Sequence, residues 1–387
     1  MPDHSRPRKD TTMSDAPVRF ETLPTASSHA IGVITLDVPA TLNSLSLEMI
    51  DLLAERLRAW RDDASIAAVF VQGAGDRAFC AGGDIQALYR SMREAPTGPN
   101  EYAMAFFSRE YRLNYMIHTY PKPMLAWGHG IVMGGGLGIL GACSHRVGTE
   151  TTRIALPEIT IGLFPDAGAT VYLARMESTL AHYMALTGTQ LNAADSVRAH
   201  LIDHLVPNDA REGALEAMEA TVWTGNADDA SLLTQILMSL EDSSGFPPGK
   251  LAAQWPTLEA VFGASAGERA ALAEVVSRIA LVDDEHAWLA KAGDALTGGC
   301  PVTAHLIMEQ IERARTLSIA DMFRQELCLA MQCATHPDFA EGVRALLIDK
   351  DRQPKWVYPT IADVPREYVL AHFEGPWDGE HPLADLG

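Results

Sequence analysis

The sequence predicts an α/β fold that gives way to a mainly helical C-terminal region, and three observations predict it. Up to about residue 207, short β-branched runs bounded by turn residues alternate with segments of helical spacing. Past that point Ala, Leu and Glu dominate and strand signals are few. Glycine-rich stretches stand where strands should pass into helices. The expected division is a disordered tail at 1–17, a core at 18–207 and the helical region at 208–387.

Residues 30–37 (AIGVITLD) and 67–73 (AAVFVQG) read as buried strands. Between them, Met49, Leu52, Leu53, Leu57 and Trp60 recur at helical spacing over 46–62, and Ser46 supplies an N-cap. Strand, helix, strand in that order predicts a right-handed crossover between parallel strands. A helix over 101–119 carries Met104, Phe107, Tyr111, Tyr115 and Ile117, and Pro121 and Pro123 end it. Residues 124–127 form the next strand, and 128–141 are a glycine-rich turn running into a helix. A strand at 149–156, a loop shaped by Pro157 and Pro165, and a helix at 167–175 follow. Two further helices reach Pro207. Helical periodicity returns over 209–255 and 258–296, with 241–250 (EDSSGFPPGK) as a long loop.

The chain carries 50 acidic against 30 basic residues, a net charge of −20. So negative a surface repels phosphate backbones and anionic lipid, which argues against nucleic acid and membranes as partners. It repels an anionic ligand too, so any such site must rely on local cations or backbone N–H groups. The longest apolar stretch, 131–143, is glycine-rich and shorter than the roughly 18–20 residues that span a bilayer. Residues 1–12 mix Arg6, Arg8 and Lys9 with Asp3 and Asp10 and lead into no hydrophobic segment, so neither a secretory signal nor a transit peptide is expected, and Met13 is an alternative start. Five scattered cysteines without a CxxC pair read as reduced, mostly buried thiols of a cytoplasmic protein.

Three clusters can carry chemistry. The first, AFCAGGD at 78–84, follows a strand; Gly82 and Gly83 let a ligand approach the main chain, and Asp84 sits where a helix can begin. It also reads as an ordinary strand-to-helix turn. The second, GHGIVMGGGLG at 128–138, puts successive glycines before a helix, where unpaired N–H groups and the helix dipole suit a phosphate or a developing oxyanion. Close helix packing through glycine is the plainer alternative. Gly136-x-Gly138-x-x-Gly141 matches a dinucleotide-binding pattern, but it lies within the helix and lacks the acidic residue about 20 positions on. The third, LPEITIGLFPDAG at 156–168, sets Glu158 and Asp166 eight residues apart in an apolar segment. Burial raises a carboxyl pKa and a second acid raises it further, which keeps an acid or base usable near neutrality. Both acids as solvated helix caps is the alternative there.

Other signals are weaker. His200 and His204 have zinc-compatible spacing, but Leu201 stands where a metalloprotease needs Glu, so they read as surface histidines and no metal is expected. Arg109, Arg112, Arg153 and Arg175 are scattered cations.

Together, AFCAGGDI, GIVMGGGLGI and LPEITIGLFPDAGATVYLAR resemble the enoyl-CoA hydratase/isomerase (crotonase) superfamily, and within it the 3-hydroxyisobutyryl-CoA hydrolase branch. Residues 106–114 and 339–351 support the likeness, which covers roughly 20–373. The resemblance implies a crotonase-like spiral of ββα units with a helical C-terminal region. It implies hydrolysis of a short-chain acyl-CoA thioester, 3-hydroxyisobutyryl-CoA in valine catabolism, with coenzyme A as part of the substrate and no cofactor. Oligomers, often trimers, are frequent in the superfamily.

By position, Gly83 and Gly135 match the two amides that grip the thioester oxygen. Glu158 matches the shared catalytic glutamate, Asp166 the hydrolase aspartate, and Glu110 an acid lining the pocket. Gly82, Asp84, Gly134 and Phe164 are the neighbouring residues expected at the substrate. Whether Glu158 activates water or attacks to form an anhydride stays open. Hydratases place a second glutamate just after the glycine triplet, whereas this chain has Gly138. A hydratase, isomerase or lyase on the same scaffold, a non-catalytic CoA-binding protein and a nicotinamide dehydrogenase are the competing readings. Two departures stand out: Gly168-Ala169-Thr170, where relatives continue with glycines, implies a narrower acyl pocket, and Gln86 stands where relatives place a cation for the CoA phosphates.

Overall fold

Continuous β-branched runs need cover on both faces, and the chain provides it by winding strands into two sheets with helices outside. The computed structural model describes residues 16–96, 99–263, 272–282 and 287–387. All but the last two residues of the expected tail lie outside the described residues. The strands are β1 (Val18–Pro24), β2 (Ala30–Leu36), β3 (Ile66–Gly73), β4 (Ala78–Cys80), β5 (Met124–Gly128), β6 (Ile131–Met133), β7 (His145–Gly148), β8 (Arg153–Ala155), β9 (Leu191–Asn192) and β10 (His204–Leu205). The larger sheet runs β1-β2-β3-β5-β7-β10, antiparallel only between β1 and β2. The smaller runs β4-β6-β8-β9, with its first three strands parallel.

Each turn of the chain therefore gives one strand to each sheet: β3 then β4, β5 then β6, β7 then β8. Helices follow each pair. They are α1 (Leu47–Asp62) before the first pair, α2 (Ile85–Glu94) and α3 (Glu101–His118) after it, α4 (Gly135–Ala142) after the second, and α5 (Ala169–Arg175) after the third. Parallel pairing of β4, β6 and β8 brings the residues that follow them to one end of the small sheet. These are the three glycine- and acid-bearing clusters. Ligands bind at the carboxyl ends of parallel strands, where helix N-termini and loops converge.

The local signals act as expected. Ser46 caps α1, accepting from the Met49 amide at 3.2 Å, and Met49, Leu53, Leu57 and Trp60 are buried. The larger sheet has apolar packing on both faces. Ile31, Val33, Phe70 and Trp127 pack on one side with residues of the helices Arg211–Ala220 and Asp229–Leu240; Ile34, Val69 and Val71 belong to the main core on the other. The strand expected at 149–156 shrinks to Arg153–Ala155. Residues 149–152 close instead into a turn, in which the Thr149 amide donates to Thr152 Oγ1 at 2.7 Å and the Thr152 amide to the Thr149 carbonyl at 3.0 Å. From residue 208 on, the described elements are helical, and the loop at 241–250 holds no regular element. The helix Ile319–Thr335 returns to pack on α3 through Phe323, which meets Tyr111 and Tyr115.

Gly136 fixes the approach of α4 to the first turn: a Cβ there would collide with the Cys80 carbonyl and Cβ. Neither partner is a flexible side-chain end. Gly136→Ala is expected to cost about 3 kcal/mol or more of stability, at the upper end for overpacking a core, as read from the midpoint of urea unfolding.

Candidate active site

The cleft at the carboxyl end of the small sheet encloses about 480 Å³ including its mouth, and Gly82, Gly83, Glu110, Gly134, Gly135, Glu158 and Asp166 all line it. Its apolar wall includes Ile85, Phe106, Phe107, Met133, Ile161 and Leu163. Asp84 and Phe164 do not line it. Asp84 is spent as the N-cap of α2, accepting from the Ala87 amide at 3.0 Å, and Phe164 is fully buried core.

Two amides are free for a ligand. The Gly82 carbonyl accepts from the Leu45 amide at 2.8 Å, so the trans peptide aims the Gly83 N–H the opposite way. Gly135 opens α4, and its N–H belongs to the unpaired first turn. Among the described residues neither amide donates to another group. Gly134, at φ 48°, ψ −127°, makes the bend that starts the helix.

Three buried carboxyls line the cleft with these amides, and a fourth lies behind the Asp166 turn. Glu110, on α3, packs so closely against Gly135 that a Cβ there would strike its Oε1. Glu158 opens a short 3₁₀ turn (Glu158–Ile161), and its Oε1 would lie 3.5 Å from a Cβ on Gly134. Asp166 accepts from the Tyr111 hydroxyl at 2.9 Å. Glu326, on the helix Ile319–Thr335, accepts from the amides of Gly168 at 2.8 Å and Thr170 at 3.0 Å. Glu110 Oε1 and Glu158 Oε2 are buried without a hydrogen-bond partner, a condition that protein interiors rarely leave standing away from functional sites.

Burial pushes Glu158 well above the ordinary carboxyl range, and the neighbouring Asp166 and Glu326 add to it. Glu110 rises well above that range for the same reasons, burial first, then Asp166 and Glu326. Asp166 is pushed by burial up to about 7, with the Tyr111 hydrogen bond pulling the other way. Glu326 reaches about 8, again through burial, moderated by Thr170 and the Gly168 amide. Such a set offers a proton donor and a proton acceptor side by side near neutrality.

The other sequence signals fall elsewhere. Cys80 adjoins the cleft, but burial holds its thiol up at about 12, which leaves little thiolate for attack. All five cysteines are unpaired and buried. His200 is exposed, while His204 is buried and bonds Glu241 through Nδ1 at 2.7 Å, so only one of the pair is a surface histidine. Arg109 and Arg112 pair with Asp51 and Asp385. Sequence reasoning missed Tyr111, Asn114, Gln310 and Glu326. Glu326 left a trace: it interrupts the apolar stripe Phe323, Leu327, Ala330 of its helix, where a charge needs a buried partner.

A family model described as enoyl-CoA hydratase/isomerase matches residues 31–373. The chain belongs to that family. Among curated relatives, it is 37% identical over 341 residues to the mitochondrial 3-hydroxyisobutyryl-CoA hydrolase of Danio rerio, covering 87% of this chain and 85% of that one. It is 32% identical over 350 residues to 3-hydroxyisobutyryl-CoA hydrolase 1 of Arabidopsis thaliana, covering 89% of each. The mitochondrial enzyme of that name from Homo sapiens is also 32% identical, over 89% of this chain and 86% of its own. Among solved structures, a carnitinyl-CoA dehydratase from Mycobacterium thermoresistibile superposes with a TM-score of 0.81 at 32% identity, over 94% of this chain and 98% of that one. An enoyl-CoA hydratase from Rhodobacter sphaeroides gives 0.80 at 29%, over 93% and 98%. The spiral fold of this family is thus the fold of the chain. No helix among the described residues is long and apolar enough to cross a membrane.

The raised acids have a consequence for stability. Asp166 keeps its proton in the fold up to about 7 but loses it near 3.8 when unfolded. Its contribution is therefore fully present below about 4 and is lost as pH rises through about 7. Between pH 5 and 7 the parent protein is expected to lose stability with rising pH more steeply than Asp166→Asn. The difference approaches one proton's worth, about 1.4 kcal/mol per pH unit, in urea unfolding at stepped pH.

Proposed function

We propose that this protein hydrolyses a short-chain acyl-CoA thioester, with 3-hydroxyisobutyryl-CoA as substrate and free CoA and 3-hydroxyisobutyrate as products, a step of valine breakdown. The observation that carries the reading is a pair of free glycine amides facing buried acids, at a cleft where a second hydratase-type carboxylate has no room. A Cβ on Gly138 would meet the Ala167 carbonyl at 2.5 Å and Asn114 Nδ2 at 2.9 Å. Hydration of an alkene needs acid and base groups flanking the double bond. Hydrolysis needs one group to deliver water and one to manage the leaving thiol's proton. The names of the zebrafish, plant and human relatives point the same way.

In this mechanism the thioester carbonyl takes hydrogen bonds from the Gly83 and Gly135 amides, which stabilise the oxygen as the tetrahedral intermediate forms; one such donor is worth about 10²–10³ in rate. Glu158 and Asp166 share one negative charge, because ionising both in a buried site is costly. On Glu158 that charge draws a proton from water, or attacks the carbonyl directly to expel the thiolate and leave an anhydride that water then opens; in either route Asp166 keeps the proton that passes to the departing thiolate. The substrate hydroxyl lies against Asp166. Glu110, beside Gly135, stays neutral in this scheme and so does not repel the oxyanion. The five unpaired buried thiols fit a reducing compartment; we place the reaction in the cytoplasm, although the zebrafish and human relatives are named mitochondrial.

The second reading, hydration of an enoyl-CoA, draws on the names of the two solved structures. Thiol release measured over a panel of short branched and 3-hydroxy acyl-CoA esters, beside crotonyl-CoA hydration, separates the two. Hydrolysis of the 3-hydroxy branched ester should dominate, and hydration without thiol release would overturn the proposal. Glu158→Gln is expected to lower CoA release by about 10²–10⁴-fold while KM changes little; a variant hydrolysing at the parent rate would remove Glu158 from the mechanism.

A further inference from the structure

Asp166 is presented by an unusual turn. The two residues after it are left-handed, Ala167 at φ 55° and Gly168 at φ 90°. A non-glycine residue in that region is strained, and such strain persists only where surrounding contacts over-determine it. Three side chains provide those contacts. Asn114, on α3, donates to the Ala167 carbonyl at 3.1 Å. Gln310, on the helix Pro301–Ala314, donates through Nε2 to the Pro165 carbonyl and to Thr170 Oγ1, both at 2.7 Å. Glu326 takes the Gly168 and Thr170 amides.

Of the three, Glu326 is the one whose chemistry exceeds packing. It is fully buried and 158 residues from Gly168 in sequence, and it binds the two amides on either side of Ala169, at the start of α5. Asp166 caps nothing there with its side chain; the carboxylate that satisfies the α5 N-terminus comes from the C-terminal region. We propose that Glu326 is a positioning residue of the reaction, holding the 166–170 turn so that Asp166 meets the Tyr111 hydroxyl and the substrate. The inference rests on the hydrolase reading of this same cleft. The groups that feel Glu326 are Glu110 and Tyr111 on α3, Glu158 on the 3₁₀ turn, Asp166, and Tyr172 on α5.

Glu326→Gln tests this with almost no change of volume. The amide keeps one acceptor for one of the two N–H groups and turns a donor toward the other, and it removes a carboxyl whose ionised form raises Glu158 and Glu110. With the substrate the parent hydrolyses best, kcat should fall about 10–100-fold, the scale expected when a reacting group shifts by about 1 Å, with KM within threefold. The acid limb of the kcat profile should move to lower pH. Titrating the buried carboxyls by carbon-13 NMR, in parent and variant without substrate, should show the same downward shift, and this holds whatever reaction the cleft performs. Gln310→Met is the second variant: it frees the turn from the other side without altering charge, so it should lower kcat with no movement of the limb. A folded Glu326→Gln enzyme with kcat within twofold of the parent, or carboxyl titrations that do not move, overturns the proposal. Failure of the parent to release thiol from any ester, with the carboxyl shift intact, would overturn the hydrolase reading instead.

Discussion

No side chain can stand between the start of α4 and the Cys80 carbonyl, and the rest of the cleft is organised by that contact at Gly136. Two turns of the chain, one after β4 and one after β6, are pressed backbone to backbone. The pressing brings the Gly83 and Gly135 amides to neighbouring strand ends and leaves them without partners among the described residues. A third turn, after β8, comes alongside because β8 pairs with β6. From that point the positions of Glu158 and Asp166 follow from strand pairing, since parallel register leaves little freedom in where a strand's successor loop begins.

The electrostatics of the cleft follow from enclosure. The forces on Glu110, Glu158, Asp166 and Glu326 come from burial, from one another, and from hydrogen bonds. Desolvation disfavours the charged form of every member, and each ionised neighbour discourages the next. What keeps the set tolerable is a few neutral donors: the Tyr111 hydroxyl at Asp166 and the Gly168 and Thr170 amides at Glu326. Polar networks in low dielectric are held firmly when satisfied. Here some acceptors are left open, and they face the cavity in which a substrate would complete them.

Much of this was legible in the chain. The strands over residues 30–36 and 66–73 announce themselves as unbroken β-branched runs, and Ser46 marks the start of α1. β1 was not foreseen: the alternation of VRFE is brief, only Val18 of VRFETLP is buried, and Pro24 closes the segment, as at a sheet edge. β4 and β6 are three residues each, too short for periodicity to register, and β8, equally short, is what remains of the strand expected at 149–156. The residues lining the cleft were readable because Gly82, Gly83, Gly134, Gly135, Glu158 and Asp166 sit in short local clusters with unusual composition. Glu326 and Gln310 were not, since each reaches the site from a helix well over 100 residues away and looks, in sequence, like one more polar residue on a helix. Asp84 and Phe164 share the clusters without sharing the cavity, one consumed by a helix start and the other by the core.

The crowding at Gly138 reaches beyond that position. The Ala167 carbonyl and Asn114 already occupy the space a side chain would need, and both are tied to the strained turn behind Asp166. An acid at Gly138 would press on both, so it could enter only if the neighbouring turn gave way. One crowded glycine thus ties two features together: the backbone that presents Asp166 is the same backbone that denies the cleft a further carboxylate at position 138.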